Sequence, residues 1–260
     1  MPESDLDLLT EAAREAGKIA RRYWRRQPQS WDKPGDAGPV TEADIAVNAM
    51  LHSELGRARR DYGWLSEESP DDRTRLGRER CFIIDPIDGT RAFMQGDDSF
   101  AHSLAVAENG RITAAVVYLP VRDALYTATP EGPALLNGAP IRVSARAGAE
   151  GATLLTSKPS FAPEHWKDGR VPKVRREFRP SLAWRLCLVA EGRFDAMISL
   201  RPTWEWDIAA GDLIARQAGA TVSDRAGRAI TYNAAKPLAS GIVAGAGPVW
   251  RDLRAALKDA

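Results

Sequence analysis

The sequence DPIDGT at residues 85–90 constrains this chain more than any other stretch. It follows an apolar run at 81–84 that predicts a short buried strand. We expect the strand to end at Pro86, because proline fixes φ and has no backbone N–H. Two aspartates, Asp85 and Asp88, lie at the end of the strand. Gly89 then permits a tight turn or close approach of a ligand, and Thr90 stands where a helix would begin. Cation ligands and anion-binding N–H groups thus fall within six residues, as metal-assisted phosphate chemistry requires.

Composition limits the class of protein and its partners. The hydrophobic share of 44% and charged share of 27% are typical of a soluble globular chain. A net charge of +1 gives no general attraction for a nucleic acid polymer, so we expect none as a partner. No apolar run approaches the roughly 20 residues of a membrane span, so we expect no membrane partner either.

Two further features bear on location and metal type. Residues 1–5 lack the basic-then-apolar order of a secretory signal. Cys81 and Cys187 both lie in apolar segments, so we interpret them as reduced core thiols of a cytoplasmic enzyme. The histidines at 52, 102 and 165 share no metal-ligand spacing, which argues against a zinc site.

Hydrophobic periodicity predicts two lobes. Helices are expected over 5–26 and 41–60, followed by an antiparallel sheet whose hairpins turn at Asn109-Gly110 and around Asn137-Gly138. Beyond residue 140, strands and helices alternate. We therefore expect an α+β lobe at 1–140 that carries most of the site and an α/β lobe at 141–260, packed tightly together.

Acidic side chains recur where apolar elements end. They are Asp44, Glu67, the pair Asp85 and Asp88, and Asp207. Carboxylates at such boundaries are costly unless they are hydrated, paired or bound to cations. Oxygen ligands without histidine or cysteine suit Mg²⁺, and two such ions can hold the attacking and leaving oxygens of a phosphate ester.

Four segments together resemble the inositol monophosphatase superfamily, the lithium-sensitive, magnesium-dependent phosphatases. Residues 85–90 are similar to its first signature, and WDIAAG at 206–211 to its second. The segments at 39–44 and 66–69 resemble its two other motifs, and all four stand in family order. The resemblance implies a layered α-β-α-β-α sandwich and phosphate ester hydrolysis by an activated water.

The same resemblance implies a role for each matching position. Metal ligands for two or three Mg²⁺ would be Glu67, Asp85, Asp88, Asp207 and the carbonyl of Ile87. The catalytic group would be Asp44, Thr90 and Glu67, with the Thr90 hydroxyl donating to Asp44. The substrate would contact Asp88, Gly89, Thr90 and Asp207. Lys158 and Arg201 would hold a second anion of the substrate, although a surface role for each is an equal alternative.

Local features favour one branch, the bacterial 3'(2'),5'-bisphosphate nucleotidases. They are LSEE at 65–68, VYLPV at 117–121 and RPT at 201–203. Inositol monophosphatases place an acid several residues before the Trp-Asp pair, where this chain has Leu200. Two positions depart from the nucleotidase pattern: a lysine, Lys158, replaces an arginine, and Pro180 replaces a glycine.

The predicted activity is hydrolysis of 3'-phosphoadenosine 5'-phosphate to AMP and phosphate. The alternative enzyme is an inositol-1-monophosphatase or a broad sugar-phosphate phosphatase. An alternative of another class is a silent relative that binds phosphorylated ligands without turnover. A homodimer is compatible with the sequence, which does not distinguish it from a monomer.

Overall fold

The computed structural model describes residues 3–35 and 38–258 of the 260-residue chain. Residues 1–2, part of the N-terminal stretch considered above, and residues 259–260 lie outside the described ranges. Within those ranges the helices are α1 (Asp5–Tyr23), α2 (Glu42–Ala58), α3 (Thr90–Met94), α4 (Leu182–Ala190), α5 (Glu205–Gln217) and α6 (Gly247–Ala256). Short 3-10 helices occupy Thr74–Gly77, Lys158–Phe161, Pro163–His165 and Lys167–Gly169.

The strands belong to two main sheets and two small ribbons. In chain order the strands are β1 (Ser30–Asp32), β2 (Pro39–Thr41), β3 (Gly63–Ser66), β4 (Arg80–Asp88), β5 (Ala101–Glu108), β6 (Arg111–Leu119), β7 (Ala124–Ala128), β8 (Leu135–Leu136), β9 (Ala139–Pro140), β10 (Thr153–Leu155), β11 (Arg175–Glu177), β12 (Ala196–Ser199), β13 (Thr203–Trp204), β14 (Ala220–Ser223), β15 (Leu238–Ala239) and β16 (Ile242–Ala246). The first sheet runs β3 to β9 in sequence order, and the second has the order β11-β10-β12-β16-β14.

The predicted helix starts are confirmed by their caps. The Ser4 side chain accepts a hydrogen bond from the Asp7 N–H at 3.1 Å, which begins α1. Helix α2 begins with a capping box, in which Thr41 accepts from the first-turn N–H groups and Asp44 accepts from the Thr41 N–H. Because Asp44 is held in this way, its position follows directly from the start of α2.

Layers of helix and sheet alternate through the molecule, as the resemblance implies. Helices α1 and α2 pack on one face of the seven-stranded sheet, and α4 and α5 pack on its other face. The five-stranded sheet covers α4 and α5 from the far side, and α6 closes the stack. The α-β-α-β-α sandwich is therefore confirmed, with α4 and α5 between the two sheets.

Both hairpin predictions are confirmed, and one expectation about the first sheet is wrong. Asn109 and Gly110 have φ of 51° and 80°, and Asn137 and Gly138 have φ of 50° and 81°, as type I′ turns require. We expected an antiparallel sheet, but β3 and β4 pair in parallel. The connection through the 3-10 helix Thr74–Gly77 is long enough to return the chain to the same end of the sheet.

The division into lobes at residues 1–140 and 141–260 stays a prediction. Every strand of the seven-stranded sheet precedes residue 141, and every strand of the five-stranded sheet follows it. None of the helices in the described ranges combines the length and the hydropathy that crossing a bilayer requires.

Candidate active site

A β-bulge in β4 builds the centre of the site. Asp85 pairs with Ser103 of β5, whereas Asp88 pairs with Ala101, so two residues of β4 lie opposite His102 alone. Three residues of regular strand would place Asp85 and Asp88 on opposite faces of the sheet. The bulge absorbs one residue, so both carboxylates face helices α4 and α5. Our expectation that the strand ends at Pro86 is therefore wrong: the proline lies in the bulge, where no ladder N–H is needed.

Three of the predicted metal ligands converge. Carboxylate oxygens of Glu67, Asp85 and Asp207 all lie within 4.8 Å of one another. Glu67 follows the end of β3, Asp85 lies before the bulge of β4, and Asp207 lies in the first turn of α5. These three segments come from distant parts of the chain and meet at the junction between the first sheet and α5.

Electrostatics indicate that a cation would stabilise this acidic cluster. Burial, and then the charge of Glu67, raise the pKa of Asp85 well above its usual range. Burial, and then Asp88 and Glu67, do the same to the pKa of Asp207. Such carboxylates are unfavourable as a bare cluster at neutral pH, and an oxygen-only donor set fits Mg²⁺. The residues present therefore fit the metal that the sequence predicts.

Asp88 joins this cluster to α4. Its Oδ2 accepts hydrogen bonds from the Ser181 hydroxyl and the Ala183 N–H, both at 2.7 Å. Burial raises the pKa of Asp88, although these donors at the start of α4 favour its charged form. With Oδ2 engaged, Oδ1 is the oxygen that Asp88 can offer to a cation or a substrate.

The predicted pairing of Thr90 with Asp44 is present. The Thr90 hydroxyl lies 3.3 Å from Oδ1 of Asp44 and 3.1 Å from the carbonyl oxygen of Ile87. Asp44 is 1% exposed, and burial raises its pKa to about 6. Gly89 precedes Thr90 with φ of 100°, and a Cβ there would lie 3.2 Å from the Ser99 carbonyl, so glycine is required.

Lys33 was missed by the sequence reasoning. Its Nζ lies 2.6 Å from Oε1 of Glu67 and 2.8 Å from Oε1 of Glu68. Burial alone would lower the pKa of Lys33, but the two glutamates outweigh it and raise it to about 12. Lys33 therefore supplies one positive charge to the acidic cluster. It stands in a loop with no periodicity, and no sequence signal distinguishes it from a surface lysine.

Arg185 was also missed, although the sequence carried a signal. It lies within the apolar helix α4 and is 8% exposed, and a charge so placed is costly without a reason. Burial lowers its pKa to about 10, while Asp88 and Asp207 favour its charged form and the nearby Arg201 opposes it. The positive charges of Arg185 and Arg201 thus both act on the carboxylates of the site. Lys158 is exposed at the start of a 3-10 helix, and its role stays a prediction.

Three residues at the start of the second signature or just before it have structural contacts. Glu205 is 1% exposed, and its carboxylate accepts from the N–H groups of Asn233 and Ala234 at 2.7 and 3.0 Å. It is therefore engaged by the backbone and cannot replace the acid missing at Leu200. The rings of Trp204 and Trp206 stack with centroids 4.7 Å apart, and Trp206 packs against the core between the sheets.

Comparison with known proteins agrees with this geometry. The sequence profile of the inositol monophosphatase family matches residues 1–258. The inositol-1-monophosphatase of Rhizobium meliloti (strain 1021) is 36% identical over 260 residues, covering 96% of this chain and 94% of the relative. The 3'(2'),5'-bisphosphate nucleotidase CysQ of Escherichia coli (strain K12) is 31% identical over 231 residues, covering 87% and 93%.

A solved structure supports the same conclusion for the fold. The crystal structure of the extragenic suppressor protein SuhB from Bartonella henselae superposes with a TM-score of 0.80 at 29% identity, covering 95% of this chain and 96% of that one. The family profile, the relatives and the converging carboxylates agree. This chain belongs to the inositol monophosphatase family, and it is a phosphoric monoester hydrolase.

Proposed function

We propose that this enzyme is a Mg²⁺-dependent phosphatase that removes the 3'-phosphate of a 3',5'-bisphosphorylated nucleoside such as 3'-phosphoadenosine 5'-phosphate. The observation that carries the substrate proposal is the buried guanidinium of Arg185, whose charge interacts with Asp88 and Asp207, together with the interaction of the Arg201 charge with Asp207. A substrate with one phosphate at the cation held by the acidic cluster and a second anion at the arginines would complement the charges of both.

The contacts of Arg185 are consistent with this role. Its Nε donates to the carbonyl of Arg179 at 2.5 Å and its Nη2 to that of Pro180 at 3.4 Å. Among the described residues, Nη1 has no hydrogen-bond partner, so its N–H groups remain for a ligand. The guanidinium also lies 4.5 Å from the centroid of the Phe178 ring, which restricts its orientation.

For the reaction, the proposed catalytic group is Asp44, Thr90 and Glu67. Mg²⁺, when bound by Glu67, Asp85, Asp88, Asp207 and the carbonyl of Ile87, would lower the pKa of water and neutralise charge on the phosphate. Asp44 accepts a proton through the Thr90 hydroxyl, and a carboxylate with a pKa of about 6 suits that task near neutral pH. The N–H groups of Gly89 and Thr90 orient the phosphate. The oxygen of the attacking water forms a bond to phosphorus as the P–O ester bond breaks, and the leaving alcohol oxygen takes up the proton that water gave to Asp44.

Hydrolysis of inositol 1-phosphate is the second candidate. It is favoured by the 36% identity to an inositol-1-monophosphatase, which exceeds the 31% to a bisphosphate nucleotidase. Against it stand Leu200, which offers no polar group, and Glu205, whose carboxylate is bound by backbone N–H groups. A cytoplasmic location and a homodimer stay predictions.

The test is phosphate release by the purified protein with Mg²⁺, comparing 3'-phosphoadenosine 5'-phosphate with inositol 1-phosphate, each with and without Li⁺. We expect the nucleotide to have the higher kcat/KM and Li⁺ to inhibit. Asp44→Ala serves as the control for contaminating phosphatase. Preference for inositol 1-phosphate would refute the substrate proposal, and release from neither compound would point to another phosphate ester or to a silent relative.

A further inference from the structure

A buried histidine lies directly behind the bulge that presents the metal ligands. His102 is the single residue of β5 opposite the two bulged residues of β4. It is 0% exposed and faces α1, on the side of the sheet away from the carboxylates, together with Phe100 and Tyr118. The adjacent residues of β5 are small or apolar. An apolar side chain at position 102 would therefore pack among them as well as a histidine does.

His102 supplies a hydrogen-bond donor to a carbonyl of the bulge that the regular strand pairing leaves out. Nδ1 of His102 lies 2.5 Å from the carbonyl oxygen of Pro86, which the bulge removes from the regular strand pairing. Because a carbonyl can only accept, Nδ1 must carry the hydrogen. Burial lowers the pKa of His102 to about 4, so the ring is neutral near pH 7 and Nε2 is a bare acceptor.

The other ring nitrogen, Nε2, makes a histidine at position 102 unfavourable for stability. Among the described residues, Nε2 of His102 is buried without a hydrogen-bond partner. A buried acceptor without a donor is unfavourable, and an apolar residue of similar size would avoid this loss. The contact through Nδ1 is therefore the feature of His102 that a leucine or phenylalanine could not reproduce.

Two other hydrogen bonds hold the same turn, and both use groups proposed as metal ligands. The Ile87 N–H donates to Oδ1 of Asp85 at 3.0 Å, and the Thr90 hydroxyl, which Asp44 and Ile87 share, lies 3.1 Å from the Ile87 carbonyl. A bound cation would compete for these oxygens. The bond from His102 to Pro86 uses neither group, so it can persist when the site is loaded.

We propose that His102 is a positioning residue, whose Nδ1–H holds the Pro86 carbonyl and so fixes the bulge that aims Asp85, Ile87 and Asp88 at a divalent cation. This inference rests on the proposed metal dependence. It concerns a residue that contacts neither the substrate nor the ion, and it acts through the backbone of the ligand segment.

The experiment compares metal affinity with stability in four variants. Mn²⁺ binding to metal-free protein is followed by electron paramagnetic resonance, and unfolding is followed in urea. His102→Ala removes the donor, His102→Asn keeps an N–H near the Nδ1 position, and His102→Gln places it near Nε2 instead. Leu104→Ala, on the same strand and also 0% exposed, is the matched packing control.

We expect His102→Ala and His102→Gln to raise the Kd for Mn²⁺ about tenfold, the lower range of effects for residues that orient metal ligands. His102→Asn should bind nearly as tightly as the unmodified protein. Leu104→Ala should lose stability with its Kd unchanged. If His102→Ala does not fold, the contrast between the Asn and Gln variants decides the matter.

The proposal is overturned if His102→Gln binds Mn²⁺ as the unmodified protein does, or if Leu104→Ala weakens binding equally. It is supported if the Asn variant alone retains affinity. Failure of the proposed function has a different signature, because unmodified protein would then bind Mn²⁺ without releasing phosphate from any ester tested. Normal phosphate release with unaltered binding in all His102 variants would refute only the positioning role.

Discussion

The Thr90 hydroxyl and Oδ1 of Asp44 lie 3.3 Å apart, which joins the DPIDGT segment to the capping box of α2. The other oxygen of Asp44 accepts from the N–H and hydroxyl of Thr41 at 2.8 and 2.5 Å. One carboxylate therefore both begins a helix and faces the proposed reaction centre. Loss of the negative charge of Asp44 should therefore affect helix capping and catalysis to different extents.

Asp44→Asn should separate catalysis from stability. We expect kcat to fall at least about 100-fold, because an amide cannot accept the proton. The variant should retain its fold, because an amide oxygen can still accept from Thr41. Steady-state kinetics with either candidate substrate measure the loss. A variant with undiminished kcat would contradict the role of Asp44 as the base.

The same substitution should alter the pH dependence of stability. Burial raises the pKa of Asp44 from 3.8 to about 6, so its ionisation disfavours the folded state. The stability that protonation provides is present below pH 3.8 and is lost as pH rises through about 6, amounting to roughly 3 kcal/mol. Urea unfolding from acid to neutral pH should therefore show Asp44→Asn gaining stability relative to the unmodified protein as pH rises. A constant difference would refute this account.

Removal of Mg²⁺ should destabilise the protein, and more so at higher pH. The pKa values of Asp85 and Asp207 are raised by burial and by neighbouring carboxylates, so the metal-free protein loses stability as these groups ionise. Mg²⁺ at 100 times its Kd should restore about 2.7 kcal/mol, and protons should compete with it at low pH. Thermal unfolding with EDTA or Mg²⁺ measures the difference.

Asp207→Asn should remove most of that Mg²⁺ effect, whereas Asp61→Asn, an exposed position, should not. Equal stabilisation by Mg²⁺ in both variants would mean that the ion binds elsewhere.

Arg185→Ala should discriminate between the two substrate candidates. Loss of a charged hydrogen bond to a second phosphate should raise KM for 3'-phosphoadenosine 5'-phosphate about 10- to 100-fold. Inositol 1-phosphate has no second anion, so its KM should change much less. Arg201→Ala should show the same selectivity. Equal losses with both substrates would assign these arginines to structure or to the scissile phosphate.

Arg75 should be a major source of stability between the two parts of the chain. Its side chain is 1% exposed, makes two hydrogen bonds with Asp71, and donates to the Asn233 side chain and the Ala234 carbonyl. Arg75→Met should lower the free energy of unfolding by about 2 kcal/mol, since it removes the hydrogen bonds of a buried guanidinium to partners that are themselves exposed or half-buried. Arg228→Met, in an ion pair whose arginine is 71% exposed, should cost less than about 0.5 kcal/mol. Comparable costs in urea unfolding would contradict this assignment.

The sequence by itself determined the superfamily, the reaction class, the starts of the first two helices and both Asn-Gly hairpins. These features are local: a capping box, a type I′ turn or a DPIDGT segment places its groups within a few residues. Glu67, Asp85 and Asp207 stand out in the sequence because each lies at the edge of an apolar element, and the resemblance to the family implies their role as metal ligands.

Only the tertiary structure decided how those groups face one another. A residue's face on a strand depends on pairing, and the bulge opposite His102 reversed the direction that periodicity would assign to Asp88 relative to Asp85. Lys33 contacts Glu67, and the charge of Arg185 acts on Asp88 and Asp207, although the patterns of their own segments indicate a loop and a core helix. Pairing of opposite charges between distant segments produces no periodic pattern in the sequence. It can therefore be recognised only once α4, α5 and the first sheet are packed together.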